Sequence, residues 1–277
     1  MENISLTGYR AFHSMSETAK KCNKIQCREY LPSKHLQPYI SRYWIMRSKI
    51  DLEEPILHRV IPDGCSDIIF DLNGHSYREV GSIVGTMTKP IFAKLKGRVN
   101  YIAIRFSPGG FLHFFDIAMY NFTDQIIPLE IISGKEERNL IEQLCLGNHI
   151  ENQRRLLERH LENLLRTNDR SDPVAKNAIY NILANKGNIT ISELAKIVDI
   201  SKRQLRRKFE RWIGVSPKAF CRIIRFQSIL RMLHHEPKCN WLAIALDGGY
   251  YDQSHFIHEF SSYYGLNPSE FLRSKNF

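Results

Sequence analysis

The sequence lacks the features of a membrane protein or a disulfide-bonded protein. No run of about 18 apolar residues occurs among its 277 residues, so it predicts no transmembrane helix. The leader, residues 1–26, is polar and has no apolar core of the signal-peptide type. No C-x-x-C pair occurs, and the scatter of the cysteines is typical of reduced thiols: Cys22, Cys27, Cys65, Cys145, Cys221 and Cys239. We therefore expect a cytoplasmic chain without a membrane partner.

The patterns of a catalytic site are also missing. His58 and His75 are isolated and no H-x-H occurs, so a metal-holding barrel of the cupin type is not indicated. Asp63 and Asp67 lie four residues apart, but the Pro-Asp-Gly turn beside them favours a structural cap over an acid–base pair. The sequence therefore predicts neither an enzyme nor a cofactor.

Two pairs of residues are the remaining candidates for a metal or redox site. His255 and His258 are three residues apart on a predicted helix, but no third ligand lies at a suitable spacing. Cys22 and Cys27 would suit a zinc or redox sensor, although a lone pair in a polar leader is more often incidental. We expect no metal ion at either place.

An excess of positive charge is present, and it is unevenly distributed. The chain has 39 Lys or Arg and 29 Asp or Glu, a net charge of +10. Residues 171–277 contain 16 basic and 9 acidic side chains, so the shorter C-terminal part carries +7 of this excess. A basic surface attracts nucleic acid, and its affinity falls with salt concentration.

The C-terminal part contains one helical unit twice. Four residues of the first copy recur 51 positions later: Phe209, Gly214, Pro217 and Phe220 return as Phe260, Gly265, Pro268 and Phe271. Each copy reads as a helix, a short turn, a second helix that ends at glycine, and a third helix after Ser-Pro or Asn-Pro. Two helix-turn-helix units at a fixed separation suggest that the protein reads two successive turns of DNA.

Capping signals mark where these helices begin. Thr190 and Glu193 form a capping box before the first helix, and Ser201 with Gln204 forms another before the second. In the second copy, Asp252 is the expected cap. Residues 218–235 form one helix between the copies, about 26 Å long, which suits two reading helices held about one DNA turn apart.

These residues resemble the DNA-binding domain of the AraC/XylS family of bacterial transcription regulators. The resemblance covers about 100 residues and is carried by ISELA at 191–195, GVSP at 214–217, Arg225 and IALDGGYYDQSHF at 244–256. It implies that the second helix of each unit enters the major groove. Carried over by position, the DNA-binding residues would be Lys202, Arg203, Arg206 and Arg207 in the first unit, and Gln253, Ser254, His255 and His258 in the second.

The sequence departs from the family pattern at two places. His258 stands where the family usually has Arg or Lys, which weakens the expected contact with phosphate or guanine. Tyr250 stands where Phe is usual, a mild change if its hydroxyl finds a partner. The alternative, that the arginines of the first unit form only a solvated helix face, fits the repeat around them less well.

The N-terminal half is predicted to be β-rich. Short apolar runs punctuated by Pro-Asp-Gly, Asn-Gly and Pro-Gly-Gly indicate strands at 43–46, 57–61, 66–72, 80–84, 91–95 and 101–106, with helices at 36–41 and 111–119. We expect a barrel or half-open sandwich. Three segments, RYW at 42–44, IPDGCSDIIF at 61–70 and RFSPGGF at 105–111, resemble the N-terminal domain of a subgroup of the same family, which implies sensing or assembly. Its aromatic residues are either core or the lining of an effector pocket: Trp44, Phe70, Phe92 and Phe106.

A helix-rich stretch at 136–167 joins the two halves. Its leucine stripe, which includes Leu157, Leu161 and Leu164, either packs on the β-rich domain or pairs with a second chain. Both interpretations stay open at this point.

The predicted fold is therefore α+β. A polar leader (1–26) precedes a β-rich sensing or assembly domain (27–133), a helical linker with a potential dimerisation role (134–172) and an all-α domain with two helix-turn-helix units (173–277). The expected partners are double-stranded promoter DNA, RNA polymerase, a small-molecule effector and a second copy of the chain. We expect a sequence-specific regulator controlled by an effector. The alternatives are an effector-independent DNA-binding protein whose N-terminal domain only oligomerises, and a methyl-accepting repair protein.

Overall fold

The computed structural model describes residues 24–74, 76–132, 134–147, 149–168, 170–235 and 241–275. A β sandwich with two packed helices forms the N-terminal domain, and seven further helices form the C-terminal domain within this range. No helix of the described residues is both long and apolar enough to cross a membrane.

Eight strands build the N-terminal sandwich. They are β1 (Ile25–Tyr30), β2 (Ile40–Ser48), β3 (Leu52–Val60), β4 (Ser66–Asp71), β5 (Gly81–Val84), β6 (Ile91–Gly97), β7 (Asn100–Phe106) and β8 (Ile126–Pro128). Six of them pair antiparallel in the order β1-β2-β7-β4-β5-β8, while β3 and β6 form a separate two-stranded sheet. The predicted sandwich is confirmed, and the sheet does not close into a barrel.

Alternation along β2 places its side chains on both faces of the large sheet. Trp44 and Met46 point toward the β3–β6 sheet and join a small core there, whereas Tyr43 and Ile45 belong to the main core on the other face. Successive residues of a strand point to opposite faces, so both sides of this central strand are apolar. The sandwich therefore has two buried layers.

Two helices cover the outer face of the large sheet. They are α2 (Lys135–Leu146) and α3 (Ile150–Thr167), and the short α1 (Tyr77–Val80) precedes them. Leu157 and Leu161 are fully buried in the main core, with Leu164 packed at its margin. Of the two interpretations of the leucine stripe, the structure shows packing on the chain's own sheet.

The C-terminal domain consists of helices throughout its described part. These are α4 (Pro173–Ala184), α5 (Ile191–Ile197), α6 (Lys202–Ile213), α7 (Pro217–His235), α8 (Trp241–Asp247), α9 (Gln253–Tyr264) and α10 (Pro268–Lys275). One apolar cluster joins α4, α5, α6 and the start of α7. A second cluster joins the rest of α7 to α8, α9 and α10. The helix α7 therefore contributes to the core of both units.

Some predicted elements of the N-terminal half were wrong. The helix expected at 36–41 is a turn followed by β2, because Leu36 inserts into the core while the backbone bonds only locally. The helix expected at 111–119 is two short 3₁₀ turns, Phe111–His113 and Met119–Asn121. The first strand begins at Ile25, inside the segment assigned to the polar leader, and the rest of that leader lies outside the described residues.

Candidate nucleic-acid interface

The helix α6 begins and ends as the sequence predicts. The Ser201 hydroxyl accepts from the Gln204 amide at 3.2 Å, and the Gln204 side chain accepts from the Ser201 amide at 3.0 Å. At the other end, Gly214 adopts the left-handed conformation with φ of 92°. Reciprocal capping and a left-handed glycine satisfy the end groups that a helix leaves unpaired. Local sequence therefore determines the length of this helix.

A row of cations covers the outer face of α6. Lys202, Arg203, Arg206 and Arg207 are all exposed, while Leu205 and Phe209 of the same helix are buried. The guanidinium Nε of Arg206 donates to the Glu210 carboxylate at 2.6 Å. In the described part of the chain, the other three cations have no carboxylate within ion-pair distance. These side chains can therefore contact a polyanion without losing an internal partner, except at Arg206.

Two further cations of α6 have intramolecular partners. The Lys208 ammonium lies 2.5 Å from the carboxylate of Asp172, and the Arg211 guanidinium lies 3.2 Å from that of Asp116. Asp172 also caps α4, so its ion pair joins two helices of the first unit. The structure thus divides the basic residues of α6 into an outward group and a structural group.

The helix α9 presents a neutral surface. Asp252 caps it by accepting from the His255 amide at 2.7 Å. Ser254, His255 and His258 are exposed, and Gln253 is half-buried. The helix contains no Lys or Arg. Its outward groups can form hydrogen bonds with base edges, but they supply little of the charge that neutralises phosphate.

The inner face of α9 carries a buried carboxylate, which the sequence-based interpretation missed. Glu259 is 1% exposed and accepts from the Arg222 Nε at 2.5 Å and from the Tyr250 hydroxyl at 2.9 Å. Burial, followed by the nearby Glu259 charge, raises the pKa of Tyr250, so this hydroxyl stays a donor. The expectation that Tyr250 needs a partner is met. The apolar pattern around position 259 gave no sign that a charge would lie inside.

A second arginine of α7 joins the two units. The Arg225 guanidinium lies 3.4 Å from the carbonyl oxygen of Gly187 and 3.4 Å from that of Gly249. It also lies 5.2 Å from the centre of the Tyr250 ring. Gly187 follows the first helix of the domain and Gly249 lies in the turn of the second unit. One side chain therefore links the backbones of both units.

The other candidate sites have ordinary structural environments. Phe70 and Phe106 are buried in the main core, and the Trp44 Nε1 donates to the buried Asp67 carboxylate at 2.8 Å. Phe92 is 49% exposed. Among the described residues no three His, Cys, Asp or Glu side chains are grouped to hold a metal. His75, Cys22 and Cys239 lie outside the described residues.

Comparisons with known proteins agree with this geometry. Residues 194–274 match a family of helix-turn-helix domains, and residues 28–128 match a domain of unknown function (DUF6597). An uncharacterised helix-turn-helix transcriptional regulator of Haemophilus influenzae is 37% identical over 84 residues, which cover 30% of this chain and 28% of that protein. The XylDLEGF operon transcriptional activator of Pseudomonas putida is 34% identical over 91 residues, 32% of this chain and 28% of the activator.

One solved structure is also similar to part of this chain. A probable AraC family regulator from Rhodopseudomonas palustris is 30% identical, with a TM-score of 0.34, over 37% of this chain and 96% of that one. The chain spans less than a third of the length of the two curated relatives it matches. The C-terminal domain of this chain therefore contains a helix-turn-helix domain, residues 194–274, which is similar to those of AraC/XylS-type regulators.

Proposed function

We propose that this chain is a sequence-specific transcription regulator that binds double-stranded promoter DNA through α6 and α9. The observation that carries the proposal is the exposed cationic face of α6, on the second helix of a helix-turn-helix unit, repeated in position by the polar face of α9. In such units the second helix lies in the major groove. Arginine pairs with guanine O6 and N7, and glutamine with adenine N6 and N7.

The two surfaces differ, so the DNA site should be asymmetric. The α6 half should depend on guanine and carry most of the salt dependence, because its side chains are arginine and lysine. The α9 half should be read by hydrogen bonds from Gln253, Ser254 and His255. A non-palindromic site with two parts about one helical turn apart is expected.

Selection of bound sequences from a random DNA library by the full chain tests this proposal. A two-part motif supports it, and binding that is sensitive to salt but shows no motif would favour a general DNA-binding protein. Arg203→Ala and Arg207→Ala should then relax the choice of base in one half of the motif only. An equal loss on every sequence would make these residues phosphate contacts instead.

We further propose that the N-terminal domain controls DNA binding, through an effector or through assembly. Its contacts with both helix-turn-helix units support a controlling role. The packing of Phe70 and Phe106 in the core favours the effector-independent alternative over a pocket lined by these residues. A ligand screen by thermal melting and a measurement of the oligomeric state distinguish the two. RNA polymerase is the further partner that a promoter-bound regulator would meet.

A further inference from the structure

The C-terminal end of α6 is held by the N-terminal domain. The Thr86 hydroxyl donates to the carbonyl oxygen of Ile213 at 2.5 Å, and the Thr123 hydroxyl donates to that of Gly214 at 2.6 Å. A Cβ at Gly214 would lie 2.8 Å from the carbonyl oxygen of Met119. The last carbonyls of a helix have no partner inside the helix, so these two hydroxyls complete it. The first recognition helix thus ends directly on the sandwich.

The same end of α9 meets the N-terminal domain at a different place. The Arg59 guanidinium of β3 lies 4.4 Å from the centre of the Tyr264 ring and 5.3 Å from that of the Phe92 ring on β6. A Cβ at Gly265 would lie 3.5 Å from Phe92. Tyr264 and Gly265 stand 51 positions after the pair that ends α6. Equivalent ends of the two recognition helices therefore rest on one domain.

A third contact lies between these two, on α7. The Gln227 side chain donates to the carbonyl oxygen of Pro62 at 2.8 Å, and both groups are buried. In the same loop a Cβ at Gly64 would lie 2.6 Å from the ring of Phe220, which is fully buried. The loop between β3 and β4 therefore fits closely against the helix that connects the two units.

Contacts inside the sandwich hold this loop in place. The Asp63 carboxylate accepts from the Cys65 amide at 2.9 Å and pairs with the Arg105 guanidinium on β7. Both members of the ion pair are buried, so the charges stay paired only while the loop keeps its place. A loop held this way behaves as part of the sheet.

We propose that Thr86, Thr123 and Arg59 are positioning residues for DNA recognition, because they hold α6 and α9 at one separation and so select DNA with one spacing between its two half-motifs. The inference rests on the proposed function. A base pair inserted between the half-motifs displaces the second by about 3.4 Å and about a tenth of a turn. A pair of helices anchored to one rigid domain cannot follow that displacement, whereas helices released at one end can.

The test compares binding to the site selected by the full chain with binding to the same site carrying one inserted base pair. We expect the unmodified chain to lose at least about tenfold in affinity on insertion, as it would for one or more mismatched base pairs. Combined Thr86→Val and Thr123→Val removes both donors to α6, and Arg59→Met removes the contact with α9. Each variant should reduce the insertion penalty to about threefold or less, because fixed spacing needs both anchors.

Thr167→Val is the matched control. Its hydroxyl bonds only within α3, to the carbonyl oxygens of Asn163 and Leu164, so this variant should keep the full penalty. Circular dichroism establishes that each variant is folded, and Arg59→Met tests the inference independently of the threonine pair. A full insertion penalty in either folded variant overturns the inference. Failure of the unmodified chain to select a two-part site overturns the proposed function, and the positioning role with it.

Discussion

The two helix-turn-helix units share one backbone plan and differ in where their charges lie. In the first unit the cations of α6 point outward and α6 alone contains six Lys or Arg and one Glu. In the second unit α9 has no Lys or Arg, and two arginines of α7 have partners within the domain. Arg222 pairs with the buried Glu259, and Arg225 contacts backbone carbonyls. Charge at a water-exposed surface serves binding, whereas charge inside must be paired. The two units therefore share one shape, but their arginines have different surroundings: solvent in the first unit and intramolecular partners in the second.

The two units differ most at Glu259, a buried carboxylate that has no counterpart in the first unit. We expect Glu259→Gln to destabilise the second unit by about 2–3 kcal/mol, because the buried carboxylate that accepts from both the Arg222 guanidinium and the Tyr250 hydroxyl would lose its charge. Faster hydrogen exchange of α9 amides and a lower urea midpoint would measure this. Glu270→Gln, an exposed cap in the same unit, is the control and should change little. Equal effects of the two variants would show that the buried carboxylate has no special structural role.

The glycines that end α6 and α9 provide a matched pair. Both have positive φ, so alanine is strained at either position by about 1 kcal/mol. Gly214→Ala should cost about 2–3 kcal/mol in total, because its Cβ would also collide with the Met119 carbonyl oxygen. In Gly265→Ala the new Cβ would lie 3.5 Å from its nearest atom, so this variant should lose only the stability that backbone strain costs. Unfolding by urea compares the two, and equal losses would show that α6 does not rest closely on the sandwich.

The cations of α6 should differ among themselves as well. Arg206→Ala should weaken binding to the selected DNA site by roughly tenfold to a hundredfold if the side chain reads a base. Arg211→Ala, on the same helix but paired with Asp116, should leave the choice of base unchanged. Fluorescence anisotropy with the selected site and with single-base variants separates the two. A similar loss of base selectivity in both variants would contradict the division into outward and structural groups.

The smallest expected effect concerns pH, and it distinguishes the anchors of the two units. His113 lies 5.0 Å from Trp212 and 4.6 Å from Tyr39, measured between ring centres, and burial lowers its pKa to about 4. A pKa below the ordinary 6.5 means that the unfolded chain binds the proton more readily, so stability is lost as pH falls from about 6.5 toward 4. The anchor of α9, the rings of Tyr264 and Phe92 on the Arg59 guanidinium, contains no histidine.

We expect His113→Phe to reduce this loss by about 1 kcal/mol at pH 5. Thermal melting of both proteins between pH 5 and pH 7.5 measures it. His58 lies in the sandwich, and burial also lowers its pKa to about 4. Because the variant keeps His58, part of the dependence of stability on pH should remain. An unchanged slope in His113→Phe would show that this histidine contributes nothing to the acid sensitivity of the contact.

Most of the C-terminal domain could be predicted, because its signals are local. Capping boxes at Ser201 and Thr190 and the glycine at position 214 each specify a helix end within four residues of sequence. Six of the eight strands described in the N-terminal half were predicted close to their observed positions, but β1 and β8 were not, and neither was the pairing of the strands. The turn at residues 62–65 connects β3 and β4, which belong to different sheets, and nothing in the turn itself shows that change of sheet.

The sequence by itself determined the two units, their caps, their spacing of 51 residues and the basic face of the first, since these depend on neighbours along the chain. Only the tertiary structure decided which cations stay outward, that a glutamate of α9 lies buried, and that α6 and α9 both end on the N-terminal domain. Thr86 and Ile213, for example, lie 127 positions apart along the chain. Long-range packing and charge pairing depend on the whole fold, so local propensity does not predict them.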